Sequence, residues 1–239
     1  RFAAGGGRLL DLEYLTDPSG RRVAAFGYWA GYAGAAVTLL AWAAQRTGGI
    51  AGPVTAWPDA VAMRDTVAEA LGKDSPTALV IGALGRVGTG AADLCRAMDL
   101  QVTGWDMAET ASGGPFPQIL DHDLFFNCIL ARPGTPVFVP ADAVDRPRRL
   151  TAIGDIACDP DSDYNPVPLY TEATGWDAPV IRVAADPVLD IMAIDNLPSL
   201  LPLESTQDFA GQLLPHLIDF DTDPDGVWAR ASALFEQYV

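Results

Sequence analysis

Apolar and polar positions change their period several times along this chain, and the changes predict its elements. Residues 9–15 alternate in the manner of a half-exposed strand. Asp17-Pro18-Ser19-Gly20 is a turn by composition, and residues 21–27 read as the returning strand of a hairpin. Residues 28–45 predict one long helix, in which Ala30, Gly31, Ala33 and Gly34 permit close packing. Residues 48–57 read as loop. Residues 58–71 predict an amphipathic helix with Val61, Ala62, Val67 and Leu71 on one side. Short apolar runs at 78–81, 101–105, 124–130, 148–156, 180–183 and 191–194 predict buried strands, with a helix between the first two that ends near Met98. A glycine–proline loop occupies 110–117. Residues 203–220 predict a helix apart from Pro215, and 227–238 a last helix. Strands alternating with helices predict an α/β fold on a parallel sheet.

The stretch TALVIGALGRVGTGAADLCRAMDLQVTGWD, residues 77–106, adds chemistry to this pattern. It runs strand, glycine turn, helix, strand, and ends on an acid. Gly82 allows the tight turn, Gly85 lets backbone approach a pyrophosphate, and Gly88 lets the helix sit close on the strand. The helix N-terminus turns N–H groups and a positive dipole end toward that pyrophosphate. Asp106 can accept from both hydroxyls of an adenosine ribose, and its charge disfavours a 2′-phosphate, so NAD is expected over NADP. Two other readings stay open. The glycines can serve packing alone, or the acid can serve S-adenosylmethionine, although GALGRVG is closer to a dinucleotide turn.

Charge and cysteine narrow the class. With 239 residues the chain suits one large domain or two small ones. A formal charge of −16 argues against nucleic acid and anionic membranes, whose phosphates need basic partners. Residues 31–44 are apolar but too few for a membrane span. Cys95, Cys128 and Cys158 are too far apart for a zinc pattern or a disulfide framework, so no metal is expected and a reducing, cytoplasmic setting is. No signal peptide is visible, and the first residue, Arg1, suggests processing or truncation.

The blocks LLDLEYL, GRRVAAFGYWAGYAGAA, IGALGRVGTGA, WDMAETASGGPF, DLFFNCIL, NPVPLYTEAT and IDNLPSLLPLES are long and collinear. On them the chain resembles saccharopine dehydrogenase of the NAD-dependent, L-lysine-forming kind, in the alanine dehydrogenase and transhydrogenase-like group. The resemblance runs from Gly7 to the last helix. It implies a Rossmann-like, doubly wound parallel sheet over residues 28–202. It also implies a partial second lobe from residues 1–27 and 203–239, the remnant of the N-terminal, substrate lobe. Family members carry a further N-terminal segment with a lysine and a histidine that form the acid–base pair. Lys73, His122 and His216 fall outside the family's functional motifs, so no catalytic residue is expected in this chain.

The resemblance also implies site residues. Arg21 matches a cofactor contact, and Arg22 and Phe26 match substrate contacts. A guanidinium at Arg22 suits a substrate carboxylate, by a forked pair of hydrogen bonds. Glu13 matches an acid near the active site, a solvated carboxylate being the equal alternative. Gly85 and Arg86 match the pyrophosphate side, Asp106 and Thr110 the adenosine ribose. Leu130 stands where tyrosine occurs in the family and keeps only apolar or backbone contact. Ile156 matches the nicotinamide side, and Ala157, Cys158 and Asp159 the substrate-lining turn. Ile194, Asp195, Asn196 and Leu197 match the last cofactor segment, where Asp195 as a local cap is the alternative. Val87 replaces one cysteine of a pair found in some members, so no bridge to Cys128 is expected.

The implied reaction takes hydride from saccharopine to NAD, and hydrolysis of the resulting imine gives L-lysine and 2-oxoglutarate. The oligomeric state is not readable. A related amino-acid dehydrogenase, or an NAD-binding module without catalysis, is the alternative.

Overall fold

The computed structural model describes residues 2–222 and 226–239; Arg1 and residues 223–225, which belong to the expected end segments, lie outside the described residues. The chain divides into two units, Gly27–Pro202 and a smaller one of Arg1–Phe26 with Leu203–Val239.

The larger unit opens with two helices, α1 (Gly27–Arg46) and α2 (Ala60–Leu71). A sheet is then built outward from β1 (Ala78–Ile81), whose side chains are all buried, as a strand covered on both faces requires. Helix α3 (Arg86–Ala97) carries the chain to β2 (Val102–Trp105) on one side of β1. The short helix α4 (Met107–Thr110) and a long loop return it to β3 (Leu124–Asn127) on the other side. β4 (Ala152–Asp155) follows, then the hairpin of β5 (Val180–Ala185) and β6 (Val188–Met192). The order is β2-β1-β3-β4-β6-β5. Winding in both directions from β1 makes the fold Rossmann-like. The crevice beyond the C-terminal ends of β1 and β3 is its topological switch point.

The parallel pattern predicted from the sequence holds for all strands but β5, which pairs antiparallel with β6. Only Asp186 and Pro187 join the two, and so short a link cannot make the crossover that a parallel pair needs. Strand ends also differ from the predicted limits. β4 begins at Ala152 rather than 148, because the Arg148 guanidinium braces the loop by donating to the carbonyls of Leu150, Pro187 and Val188. β6 begins at Val188 and ends at Met192. Its buried Asp190, paired with Arg182 at 2.8 Å and accepting from Gln45, interrupts the apolar run that would have marked it.

Helix α1 is the spine beneath the sheet. Its alanines favour helix, and its C-terminus closes with Gly48 left-handed at φ +76°, where Gly49 N donates to Ala44 O and Gly48 N to Gln45 O. Two glycines let α1 and α3 touch through backbone. A β-carbon on Gly31 would lie 1.8 Å from Val87 O, and one on Gly90 would lie 1.9 Å from Tyr28 O. α1, α2 and α3 cover one face of the sheet. Loops and short 3-10 turns around Phe116, Ile119, Phe138 and Ala143 cover the other. Among the described residues no helix is long and apolar enough to cross a membrane.

In the smaller unit, α5 (Pro202–Ile218) and α6 (Val227–Gln237) pack with the N-terminal residues. Leu15 is fully buried against Val227, Trp228 and Ala231. Arg230 donates to Thr16 O, and Ala25 N donates to Gln212 Oε1. The predicted hairpin is absent. Residues 12–14 form a 3-10 turn that Asp11 caps by accepting from Glu13 N, and only an isolated bridge joins Thr16 to Arg22. Asp17 accepts from the Ser19 hydroxyl, and also from Arg21 N and Ser19 N, which tightens the loop and holds its carboxyl below the usual range. Alternation that suits a strand suits such a turn equally when no neighbouring strand extends the pairing. Helix α5 also continues through Pro215, whose missing N–H costs a single bond in the last turn.

Candidate functional site

The ligand edge of the larger unit is where its parallel strands end. At the end of β1, Gly82 sits at φ +87°, a conformation that side chains resist. A β-carbon there would lie 2.7 Å from Cys128 O. Gly88, on the first turn of α3, is packed harder still: its β-carbon would lie 2.1 Å from Gly82 O. Gly85, the N-cap of α3, differs from both. Added bulk there would meet only Gly82 O at 3.3 Å, so little of the protein itself demands a glycine. Gly85 and Arg86 are exposed at this helix start.

Asp106 closes β2 beside that turn. Its Oδ2 accepts from Leu84 N at 3.0 Å and its Oδ1 from Met107 N at 2.9 Å. Its own N–H donates to Glu109 Oε2, and its carbonyl accepts from Thr110 Oγ1. The acid is thus fixed to the glycine turn and to α4 together. The carboxylate accepts a third bond from the Glu109 backbone N–H, which leaves at least one of its about four lone-pair positions for a further donor. The capping box that orients it was legible as Asp106-x-x-Glu109 but is missing from the sequence reading. Leu84, Met107 and Leu130 stand around these strand ends as exposed apolar side chains, 85%, 82% and 72% accessible.

The ends of β4 and β6 carry a second group of the expected residues. Ile156 is buried, Ala157 and Cys158 are half-buried, and Asp159 is exposed. A β-carbon on Gly34 of α1 would press on Ile156 and Leu197, so α1 backs both segments. Ile194 and Leu197 are buried, whereas Asp195 and Asn196 are exposed. Asn196 rather than Asp195 precedes the 3-10 turn Leu197–Leu200; its Oδ1 accepts from Ser199 Oγ and no side chain caps the turn.

Beneath them lies a buried polar group that the sequence reading did not single out. Asn127 and Asp155 are register partners at the ends of β3 and β4, both essentially inaccessible. Asn127 Nδ2 donates to Asp155 Oδ1 at 2.8 Å, and Tyr170 OH donates to Oδ2 at 2.8 Å. Burial pushes the Asp155 carboxyl up, against the donors that favour its charge. The only sequence signal is a polar residue closing each of two apolar runs, LFFN and AIGD.

In the smaller unit, Arg21 and Arg22 are exposed, and Arg22 pairs with Glu13 at 2.9 Å. Two expected residues are therefore brought together there. Phe26 stacks on Phe209 with ring centroids 4.4 Å apart. Cys95, Cys128 and Cys158 are free thiols. Among the described residues no cluster of His, Cys, Asp or Glu could hold a metal ion.

No protein-family profile matches this chain. Curated relatives do. It is 45% identical to a saccharopine dehydrogenase (NAD(+), L-lysine-forming) of Yarrowia lipolytica, over all of this chain and 69% of the relative. Enzymes of the same name match it at 43% identity in Neurospora crassa and 42% in Candida albicans, over all of this chain and 68% and 69% of theirs. Among solved structures, an L-alanine dehydrogenase shares the fold, with a TM-score of 0.60 at 19% identity over 93% of this chain and 63% of that one.

Proposed function

Since the chain belongs to the NAD(+)-dependent, L-lysine-forming saccharopine dehydrogenase family, we propose that residues 27–202 hold the NAD of such an enzyme. The observation that carries this reading is the glycine turn of Gly82, Gly85 and Gly88, joined by a hydrogen bond from Leu84 N to the Asp106 carboxylate. The pyrophosphate lies over Gly85 and Arg86 at the start of α3, where N–H groups and the helix dipole favour an anion. Asp106 takes the adenosine ribose, with Thr110 bracing its backbone. Leu84, Met107 and Leu130 offer apolar surface to the adenine. Ile156 and the segment from Ile194 to Leu197 border the nicotinamide, and Ala157, Cys158 and Asp159 line the substrate side. When bound, NAD supplies the hydride acceptor.

The substrate class we infer is saccharopine, or L-lysine with 2-oxoglutarate in the reverse direction. The family resemblance gives Arg22 and Phe26 to the substrate, with Arg22 for a carboxylate, and Arg21 to the cofactor. Since Glu13 already pairs with Arg22, substrate must share or displace that exposed ion pair, which is worth at most about 1 kcal/mol. The unit formed by the two chain ends is read as part of the substrate lobe.

Calorimetry with Asp106→Ala tests the cofactor assignment. Losing a charged acceptor for the ribose hydroxyls should weaken NAD about tenfold or more. Binding of NADP should hold or improve as the negative charge goes. An unchanged ratio of the two affinities would refute the role given to Asp106.

A further inference from the structure

Building on the cofactor assignment, we propose that Asp155 is a positioning residue whose buried carboxylate fixes the two segments bordering the nicotinamide, through Asn127, Tyr170 and Cys158. Its surroundings favour that role over proton transfer. Three donors converge on it: Asn127 Nδ2 and Cys158 N on Oδ1, and Tyr170 OH on Oδ2. Among the described residues no Lys or Arg pairs with it, and it is 1% accessible, so it presents no oxygen to a ligand. What it controls is the backbone just beyond β4.

Cys158 has φ +49°, a left-handed conformation that few non-glycine residues adopt. Its N–H reaches back to Asp155 Oδ1 at 3.4 Å, and Ile156 N donates to Asn127 O at 3.1 Å. The turn from Ile156 to Asp159 is thus pinned from below at two points. The Cys158 thiol then donates to Ala193 O at 3.0 Å, and Ala193 immediately precedes the segment from Ile194 to Leu197. Burial, together with the carboxylates nearby, raises the thiol to about 12, so it keeps the proton it donates. One carboxylate therefore sits at the root of both segments. Asn127 commits Nδ2 to Asp155 while its buried Oδ1 has no hydrogen-bond partner among the described residues. An orphaned acceptor is costly, and its retention fits a network kept for geometry.

The test compares NADH with ADP-ribose, which lacks only the nicotinamide, by titrating the whole 239-residue chain. Asp155→Leu should weaken NADH about tenfold while ADP-ribose changes little, as expected for loss of hydrogen bonds to a charged group. Asp155→Asn keeps an acceptor for Cys158 N and Asn127 Nδ2 and should stay within about threefold of the unmutated chain. Should Asp155→Leu not fold, Tyr170→Phe decides: it removes one hydroxyl and should shift the same ratio about threefold or more. A merely structural role would weaken both ligands equally or neither, and either result overturns the proposal. An unmutated chain that binds neither ligand would overturn the cofactor assignment and this inference with it. One that binds both, with the ratio unmoved in the variants, would overturn only the inference.

Discussion

Joined to the further N-terminal segment that the family resemblance implies, this chain should form NADH from saccharopine about 10²–10⁴ times faster than it does alone. Its lysine and one of its histidines lie away from the ligand edge of the sheet. Lys73 follows α2 and precedes β1, and His122 precedes β3. Both therefore stand at the N-terminal edge of the parallel strands, opposite the edge where such sheets bind ligands. The His122 ring is also committed locally, with Nδ1 3.0 Å from Gln118 O and Nε2 3.0 Å from Thr103 Oγ1. His216 lies on α5 of the smaller unit and takes part there through its carbonyl, which accepts from the Trp228 indole. The reaction needs an amine proton removed and further transfers during hydrolysis, and a positioned acid–base pair typically supplies an acceleration of that order. Steady-state assays of the chain alone and of the fusion, at equal cofactor saturation, check this. Equal turnover in the two would place the acid–base groups within these 239 residues and direct attention to Glu13, Asp159 and His122.

Two alanine substitutions in the glycine turn should separate binding from folding. In Gly88→Ala the new methyl must lie 2.1 Å from Gly82 O and 2.7 Å from the Ala83 α-carbon. Backbone cannot yield as a side-chain tip does, so α3 must move off the turn. Stability should fall by about 1–3 kcal/mol or more, and NAD binding should be lost with it. In Gly85→Ala the methyl meets only Gly82 O, at 3.3 Å, and projects from an exposed position. The melting temperature should fall by only a few degrees, since alanine in place of glycine at an N-cap costs about 1 kcal/mol. NAD affinity should nevertheless drop about tenfold or more, because the pyrophosphate needs that space. Melting curves and NAD titrations of both variants check the contrast. Undiminished NAD binding by Gly85→Ala would contradict the placing of the pyrophosphate.

What could be read from the sequence follows from how local each signal is. The glycine turn and Asp106 were legible because each glycine answers a constraint within a few residues, and because the acid closes an adjacent strand. Helix α1 was legible from its alanines, but its glycines only hinted at a partner; contact with α3 through Gly31 and Gly90 is a tertiary fact. The false hairpin in residues 9–27 shows the limit of a two-residue period. Strand alternation has meaning only when another strand is present to pair, and here Leu15 is buried against a helix from the far end of the chain. Strand β6 was blurred by Asp190, whose partners are Arg182 across the hairpin and Gln45, which is remote from it in sequence. Asn127 and Asp155 went unread for the same reason, since 28 positions separate two side chains that meet only in the sheet.

Fluorescence titration of the unmutated chain with NADH and with NADPH bears most directly on the central claim. The chain should bind NADH saturably, with displacement by NAD, and NADPH at least about tenfold more weakly because Asp106 repels its 2′-phosphate. Equal affinity for the two cofactors, or no saturable binding of either, would contradict that claim.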